Sequence, residues 1–465
     1  MLSTHSSAGR GGPPILGGHL HVTGGHLWVE HCDTVALAER FGTPLYVVSE
    51  AQLRANCQML RAAFERHWPV GRVELLPSLK ANYVLAIREL LNDEGVGCDV
   101  FGGNELNAAL RAGVPAARIS VNGSAKSAPL LRASVVAGAN ITLDSAYELE
   151  SLLAIVTELG KTARIRLRIR PDHATLTERS DFFPDMAIRD AAQLYKPGIE
   201  PTTARALGRR ALSHDRIELT GLMTHLGRHS ADPGVWAKMA AGFGETVAEL
   251  CNAWAPWRPR ELDIGGGFPA PRDPTDPDRR PAQPIDRYAE GVAVALRSAL
   301  VHGGIDPDGI VLQLEPGRSL FADAGLHLSR VCHVKTQTRP VASTWVEVDT
   351  TEMFMPDLLL EHAYFRPVFA SRAESPDVAP VHIVGISCNF DLIARDVPAP
   401  RVVAGDIVAF LDTGAYQDAA ASNFNVLARP GTVLVSGNRA RLVKRHETLE
   451  EVLSRDEPRA PFTTL

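Results

Sequence analysis

The chain reads as an α/β protein, a parallel (β/α)8 TIM-like barrel over residues 45–310 followed by a mostly β domain over 311–465, to which the N-terminal segment contributes. Three observations predict this. From about residue 45 short apolar runs alternate with amphipathic stretches, the pattern of strand, crossover helix and next strand. Several of these runs end in a polar residue or a glycine, at the places where a barrel presents its active-site groups. Beyond about residue 311 the alternation stops, and strand-like runs follow one another through turns with few long helical stretches.

Taken in order, residues 1–14, MLSTHSSAGRGGPP, lack the apolar core of a signal peptide and read as a flexible arm. Residues 15–44 contain GGHLHVTGGHLWVEH, whose alternation suits strands that join the β domain. The barrel strands then read as PLYVV (44–48), RVELLPSL (72–79), GCDV (97–100), RISVN (118–122), NITLD (140–144), RIRLRI (164–169), LTGLMTH (219–225) and ELDIGGG (261–267). Stretches such as AYELESLLAIVTEL, with apolar residues three and four apart, supply the crossover helices. The Pro-rich, charged run PAPRDPTDPDRRPAQP (269–284) reads as a surface loop at the barrel mouth. GLHLSRVCHVKTQ, STWVEVD, VHIVGIS, DIVAFL and GTVLVSGN are the strands of the second domain.

Composition narrows the function classes. A chain of 465 residues with 45% apolar and 22% charged residues is a globular protein. A net charge of -6 leaves no basic footprint for nucleic acid, and no apolar run approaches the roughly 18 residues that span a bilayer. The expected location is therefore the cytoplasm. The cysteines (Cys32, Cys57, Cys98, Cys251, Cys332, Cys388) form no C-x-x-C pair, which argues against a metal site or a disulfide scaffold, so any cysteine that matters does so as a thiol.

Four short motifs carry chemistry. In LLPSLKANY, Lys80 directly follows an apolar run. An ammonium buried at a strand end tends to give up its proton, which would make Lys80 a nucleophile; the other reading is a lysine whose stem packs on the strand while its head reaches water. DIGGGF places Gly265, Gly266 and Gly267 at a strand end, where backbone N–H groups can approach a phosphate, although a tight structural turn would use the same residues. LEPGRSL sets Glu315 three residues before Arg318, as a surface ion pair also would. THLGRHS offers His225 and His229, but Gly227 argues against a helix and no carboxylate completes a metal set. Together a lysine, a phosphate cradle, a buried acid, a histidine and a thiol suit pyridoxal 5'-phosphate.

The sequence resembles the fold-type III (alanine racemase-like) pyridoxal-phosphate decarboxylases, the diaminopimelate and ornithine decarboxylase family, over about residues 28–440. SLKANYVLAIRELL, GVGCDVFGGNELNAALRAGVP, RISVNGSAKS, DSAYELE, LMTHLGR, DIGGGFP, LEPGRSLFADAG, CNFDLIARD and DTGAYQDAAASNFN occur in the family's order. The resemblance implies that Lys80 is the Schiff-base lysine, that His225 stacks on the pyridine ring, and that Gly265, Gly266 and Gly267 form the phosphate loop. It also implies that Glu315 meets the pyridine nitrogen, that Arg318 meets phosphate or substrate carboxylate, and that Asp99 lies in the cofactor pocket. Cys388 corresponds to the thiol that reprotonates the substrate carbon, and Tyr416 to the tyrosine that closes on the phosphate. The family's arrangement further implies a homodimer with shared active sites.

Departures from the family cluster at the substrate end. Diaminopimelate decarboxylases carry an arginine and a tyrosine after VDAG and a Glu-Ser-Gly-Asp run after the thiol; here the segments are VDTTEMFMPDLLLEHAYF and CNFDLIARD, with Asn389 at the glutamate. Arg228 replaces the serine of the family's HxGS run. Arg228, Arg318, Asp357, Glu361 and Asn389 are accordingly the candidate substrate contacts. The expected activity is a decarboxylase of an amino acid or amino-acid derivative, free or conjugated, in a biosynthetic or secondary pathway. The alternatives are diaminopimelate decarboxylase itself, a racemase-like enzyme, and a cofactor-carrying protein without catalysis; that last class usually consists of the barrel alone, against which the β domain argues.

Overall fold

The computed structural model describes residue 16 and residues 18–170, 174–181, 183–227, 230–270 and 283–457. Among these, residues 53–270 and 283–322 form one compact unit, and residues up to 52 together with 323–457 form another.

The first unit is a parallel barrel. Its strands are Val73–Leu75, Cys98–Val100, Ile119–Val121, Asn140–Leu143, Ala163–Arg168, Ile217–Met223, Glu261–Asp263 and Val311–Leu314, and from Cys98–Val100 onward each pairs with the next in the chain. The last pairs with the first, Leu312 opposite Val73 and Leu314 opposite Leu75. The remaining seam closes through a parallel bridge between Ser78 and Asp99, with Gly97 N donating to Leu75 O at 2.8 Å and Asp99 N to Pro77 O at 3.1 Å. Closure removes both sheet edges, so every strand finds a partner on each side.

The crossover helices start and stop where local chemistry directs. Ala128–Ala137 begins at Ser127, whose hydroxyl accepts from Leu130 N, and ends at the left-handed Gly138. Ala146–Leu159 begins at Ser145, which accepts from Glu148 N, and ends at left-handed Gly160.

Two strand assignments are corrected. PLYVV is not a barrel strand: Leu45–Ser49 pairs antiparallel with Gly325–Gln337 and parallel with Gly431–Ser436 in the β unit. The eighth barrel strand is instead Val311–Leu314, beyond the barrel end expected at 310. A short, wholly buried apolar run reads alike in a barrel and in a central sheet strand, and only its distant partners decide between them.

The β unit is organised around the 13-residue strand Gly325–Gln337, which pairs with Leu45–Ser49, Ser343–Val348 and Ile407–Leu411. Strands Leu20–Thr23, His26–Val29 and Cys32–Asp33 form a small sheet of their own. Leu27 and Val29 from it share one core with Leu45, Leu326, Ile407 and Val433, so the N-terminal segment contributes to this domain as expected. No helix among the described residues is long and apolar enough to cross a membrane.

Candidate active site

The strand ends of the barrel unit bring polar residues together. Lys80 stands on the short turn Leu79–Ala81 just past the first strand, with its Nζ 3.6 Å from Asp99 Oδ2 and 3.5 Å from Ser78 Oγ. Its side chain is 49% exposed, which corrects the picture of a lysine in a dry strand end: the turn carries it beyond the strand and into the open mouth. Lys126 is the contrasting case, fully buried and paired with Glu148 at 2.9 Å.

Asp99 is buried and accepts from Ser78 Oγ at 2.6 Å and from Asn122 Nδ2 at 2.7 Å. Asn122 Nδ2 also donates to Glu315 Oε1, so a continuous polar chain runs Lys80, Asp99, Asn122, Glu315. A second network lies beside it. Arg166 has no exposed side-chain surface, donates to Asp263 Oδ2 at 2.6 Å, and also reaches Gln313 and Ser120. These partners sit on the seventh, eighth and third strands, and only through the barrel interior can one side chain reach them all.

Electrostatics divides the buried carboxyls. Burial pushes Glu315 well above the usual carboxylate range, and the nearby Asp263 and Asp99 push it further, with Arg166 a partial offset. Burial also raises Asp263, but the guanidinium at 2.6 Å favours its charge. Of the pair, the surroundings favour the neutral form at Glu315 and the charged form at Asp263. Burial opposes the charge of Arg166, yet Asp263, Glu261, Glu315 and Asp99 outweigh it and hold its pKa above the usual value.

The glycine loop follows the seventh strand. Gly265 and Gly267 have φ of +71° and +99°, in the left-handed region that favours glycine. A Cβ on Gly266 would lie 2.1 Å from Glu315 O, and one on Gly265 would meet His225 Cα at 2.9 Å and its ring at 3.0 Å. Gly265 N is already taken by Asp263 Oδ1 at 2.8 Å. The loop thus lies against the half-buried His225 on one side and the Glu315 backbone on the other. Arg318 is buried at the start of the short helix Arg318–Phe321.

The remaining candidates belong to the β unit. Cys388 is exposed on a loop wound around the buried Asp391, which accepts from Ser387 N at 2.7 Å, Glu352 N at 2.8 Å and Thr351 Oγ1 at 3.1 Å. Glu352 is buried on the turn Glu352–Phe354 and accepts from Asn389 Nδ2; burial and Asp391 raise its carboxyl above the usual range. Asp357 is buried too, its Oδ2 accepting from Gln417 Nε2 at 2.8 Å beside Tyr416. Tyr416 itself is left-handed, with φ +69°. Glu361 caps the short helix Asp357–Leu360. Arg228 and His229 lie outside the described residues.

Sequence reasoning did not single out Ser78, Arg166, Asp391 or Asn425 as site residues. Arg166 had a signal: in RIRLRI the arginines alternate, and alternate residues of a barrel strand face inward. The hydrogen bonds of Asp391 and Asn425 span loops and leave no periodic trace.

A closed parallel barrel with a lysine at its mouth, a glycine loop fit for an anion and a proton-bearing acid beside that loop defines a barrel enzyme for a phosphorylated cofactor. Comparison with known proteins narrows this. The model of the pyridoxal-binding domain of pyridoxal-dependent decarboxylases matches residues 50–322, and the chain belongs to that family. It is 30% identical to diaminopimelate decarboxylase of Bacillus subtilis over 447 residues, covering 93% of this chain and 96% of that protein. The Methanocaldococcus jannaschii diaminopimelate decarboxylase is 29% identical over 445 residues, covering 94% and 96%. The crystal structure of the M. jannaschii enzyme superposes with a TM-score of 0.85 at 27% identity, covering 94% of this chain and 98% of that one. A lysine/ornithine decarboxylase from Vibrio vulnificus, in complex with putrescine, shares the fold with a TM-score of 0.69 at 21% identity, covering 86% and 97%. The chain is a pyridoxal-phosphate-dependent amino-acid decarboxylase. The residues fit the cofactor: Gly265 and Gly267 take the left-handed φ of a tight anion-binding loop, and the buried Glu315, whose carboxyl is held well above the usual range, is suited to share a proton with a ring nitrogen.

Proposed function

We propose that this decarboxylase acts on an amino acid or derivative whose far end is an amine, an amide or an uncharged conjugate, rather than on the second carboxylate of diaminopimelate. The carrying observation is Glu352, buried against Asn389 in a segment, residues 350–365, that holds no arginine or lysine. A carboxylate there would meet two acids, Glu352 and Asp391, and find no cation in that segment, at a cost of several kcal/mol. Burial and Asp391 raise the Glu352 carboxyl, which when protonated can donate to an amide or conjugate carbonyl and when ionised can accept from an amine. Arg228 is the residue that could supply a missing cation.

In this reading Lys80 would hold the cofactor covalently, Gly265, Gly266 and Gly267 would hold its phosphate, and His225 would pack against it. Bound there, pyridoxal phosphate would supply the electron sink that decarboxylation needs. Glu315 keeps a proton at the ring nitrogen, Asp99 orients Lys80 and Asn122, Arg318 meets phosphate or substrate carboxylate, and Cys388 delivers a proton to the α-carbon. Ile386 and Phe390, both exposed beside Cys388 and Phe390 by 80%, support a homodimer that inserts this loop into the partner's site.

A second reading, diaminopimelate decarboxylase in lysine biosynthesis, is favoured by relatives of that name matching nearly full length at 28–30% identity. Carbon dioxide release across diamino, acidic and conjugated amino acids decides between the two. Poor turnover of meso-diaminopimelate beside a better amine-ended or conjugated substrate is expected; efficient, stereospecific formation of lysine would establish the second reading and make Arg228 the first residue to test.

A further inference from the structure

Cys388 is the exposed cysteine of this chain; Cys32, Cys57, Cys98 and Cys251 are buried and Cys332 is partly so. Burial pushes the thiols of Cys57 and Cys98 up to about 12 and that of Cys251 up to about 11. Cys388 is also held by one particular side chain. Asn425 Oδ1 accepts from Cys388 N at 2.8 Å, and Asn425 Nδ2 donates to Cys388 Sγ at 3.3 Å. The backbone N–H can only donate, so it fixes the amide oxygen on its own side and turns the NH₂ toward sulfur. Asn425 sits at φ +58° and the next residue, the β-branched Val426, at φ +59°, a conformation such side chains rarely adopt. Local strain is thus kept at the place where the amide meets the thiol.

We propose that Asn425 is the positioning residue for proton delivery by Cys388, an inference that rests on the reading of Cys388 as proton donor. The S–H bond breaks as a C–H bond forms at the carbon that has lost carbon dioxide. Sulfur keeps the electron pair as thiolate, and a proton from water later restores the thiol. A neutral thiol is a weak acceptor and a thiolate a strong one, so the hydrogen bond from Asn425 Nδ2 strengthens while the proton leaves. The contact to Cys388 N holds the loop so that sulfur stays within reach of that donor.

The test uses the holoenzyme and two variants suited to the left-handed backbone. Asn425→Asp retains an acceptor for Cys388 N but replaces the donor to sulfur by a negative oxygen. Asn425→Gly removes both contacts. Iodoacetamide labelling of Cys388 at pH 7, followed by mass spectrometry with Cys388→Ala as the blank, reads thiolate availability. Labelling should slow about tenfold in Asn425→Asp, the order expected for a unit charge a few ångströms from sulfur near water, and Asn425→Gly should fall between it and wild type. Both variants should also release more carbonyl compound relative to amine. The carbonyl compound arises when the proton is delivered to the cofactor's own carbon instead of the α-carbon, after which hydrolysis by water frees the carbonyl and leaves the nitrogen on the cofactor. Labelling and product ratio at wild-type values in Asn425→Asp would overturn the role of Asn425. An unchanged product ratio in Cys388→Ala would overturn the donor reading itself, and this inference with it.

Discussion

Replacing Glu315 by glutamine tests where the barrel keeps its proton. Burial, Asp263 and Asp99 raise this carboxyl well above its ordinary value of 4.5, so the folded chain holds a proton that the unfolded chain releases once pH exceeds that value. A folded state that binds one proton more than the unfolded state loses stability as pH rises, by about 1.4 kcal/mol per pH unit for a single group. The contribution is complete below pH 4.5 and declines from there up to the raised value. Glutamine keeps the shape and the hydrogen-bonding capacity of the protonated acid and does not titrate. Asp263 is present in both proteins, so its own titration cancels to first order. Urea unfolding of the cofactor-free proteins at pH 5, 6 and 7 should therefore show the variant gaining on the wild type by up to about 1.4 kcal/mol for each unit. Parallel stabilities across that range would mean that Glu315 is ionised in the folded chain, and the electrostatic argument would be wrong. With cofactor bound, the same variant should lose on the order of 10²-fold in turnover, because an amide cannot hold a charged ring nitrogen as a carboxylate does.

Lys80→Ala should abolish the borohydride-reducible adduct between protein and cofactor, and an adduct persisting in that variant would move the attachment elsewhere, to Lys196 first. Cys388→Ala should slow amine formation on the order of 10²-fold, measured as product released per turnover, whereas a thiol that merely packs would leave the rate unchanged. Mixing Lys80→Ala with Cys388→Ala should recover about a quarter of wild-type activity if two subunits share each site, since half of the dimers are mixed and one site in each is intact; no recovery in proteins shown to exchange subunits would place both groups of a site in one chain. Arg166→Met should destabilise the protein by about 3–5 kcal/mol, because Asp263 is left buried beside Glu315 without its cation; a loss under about 1 kcal/mol in urea unfolding would contradict the buried ion pair.

The alternation of apolar runs and amphipathic stretches determined by itself that this chain forms a parallel barrel, because strand and helix periods are local properties. The ordered motifs pointed to the cofactor through their resemblance to a family, and Lys80 and the three glycines stand just past strands that the sequence located, whereas the strand that carries Glu315, Val311–Leu314, was not among those read. Tertiary structure decided where strands belong. Leu45–Ser49 and Val311–Leu314 are both short, mostly apolar runs, and their assignment to the β unit and the barrel follows from partners as distant as Gly431 and Val73. It also decided which polar residues meet. Arg166 reaches Asp263 97 residues away, Asn122 reaches Glu315 across 193, and Asn425 reaches the Cys388 sulfur across 37. Hydrogen bonds and charge pairing act over a few ångströms between side chains brought together by folding, and such contacts have no period along the sequence. For the same reason the acids after Asp349 could be counted in advance while their roles could not: burial turned Glu352 toward Asn389 and Asp357 toward Gln417.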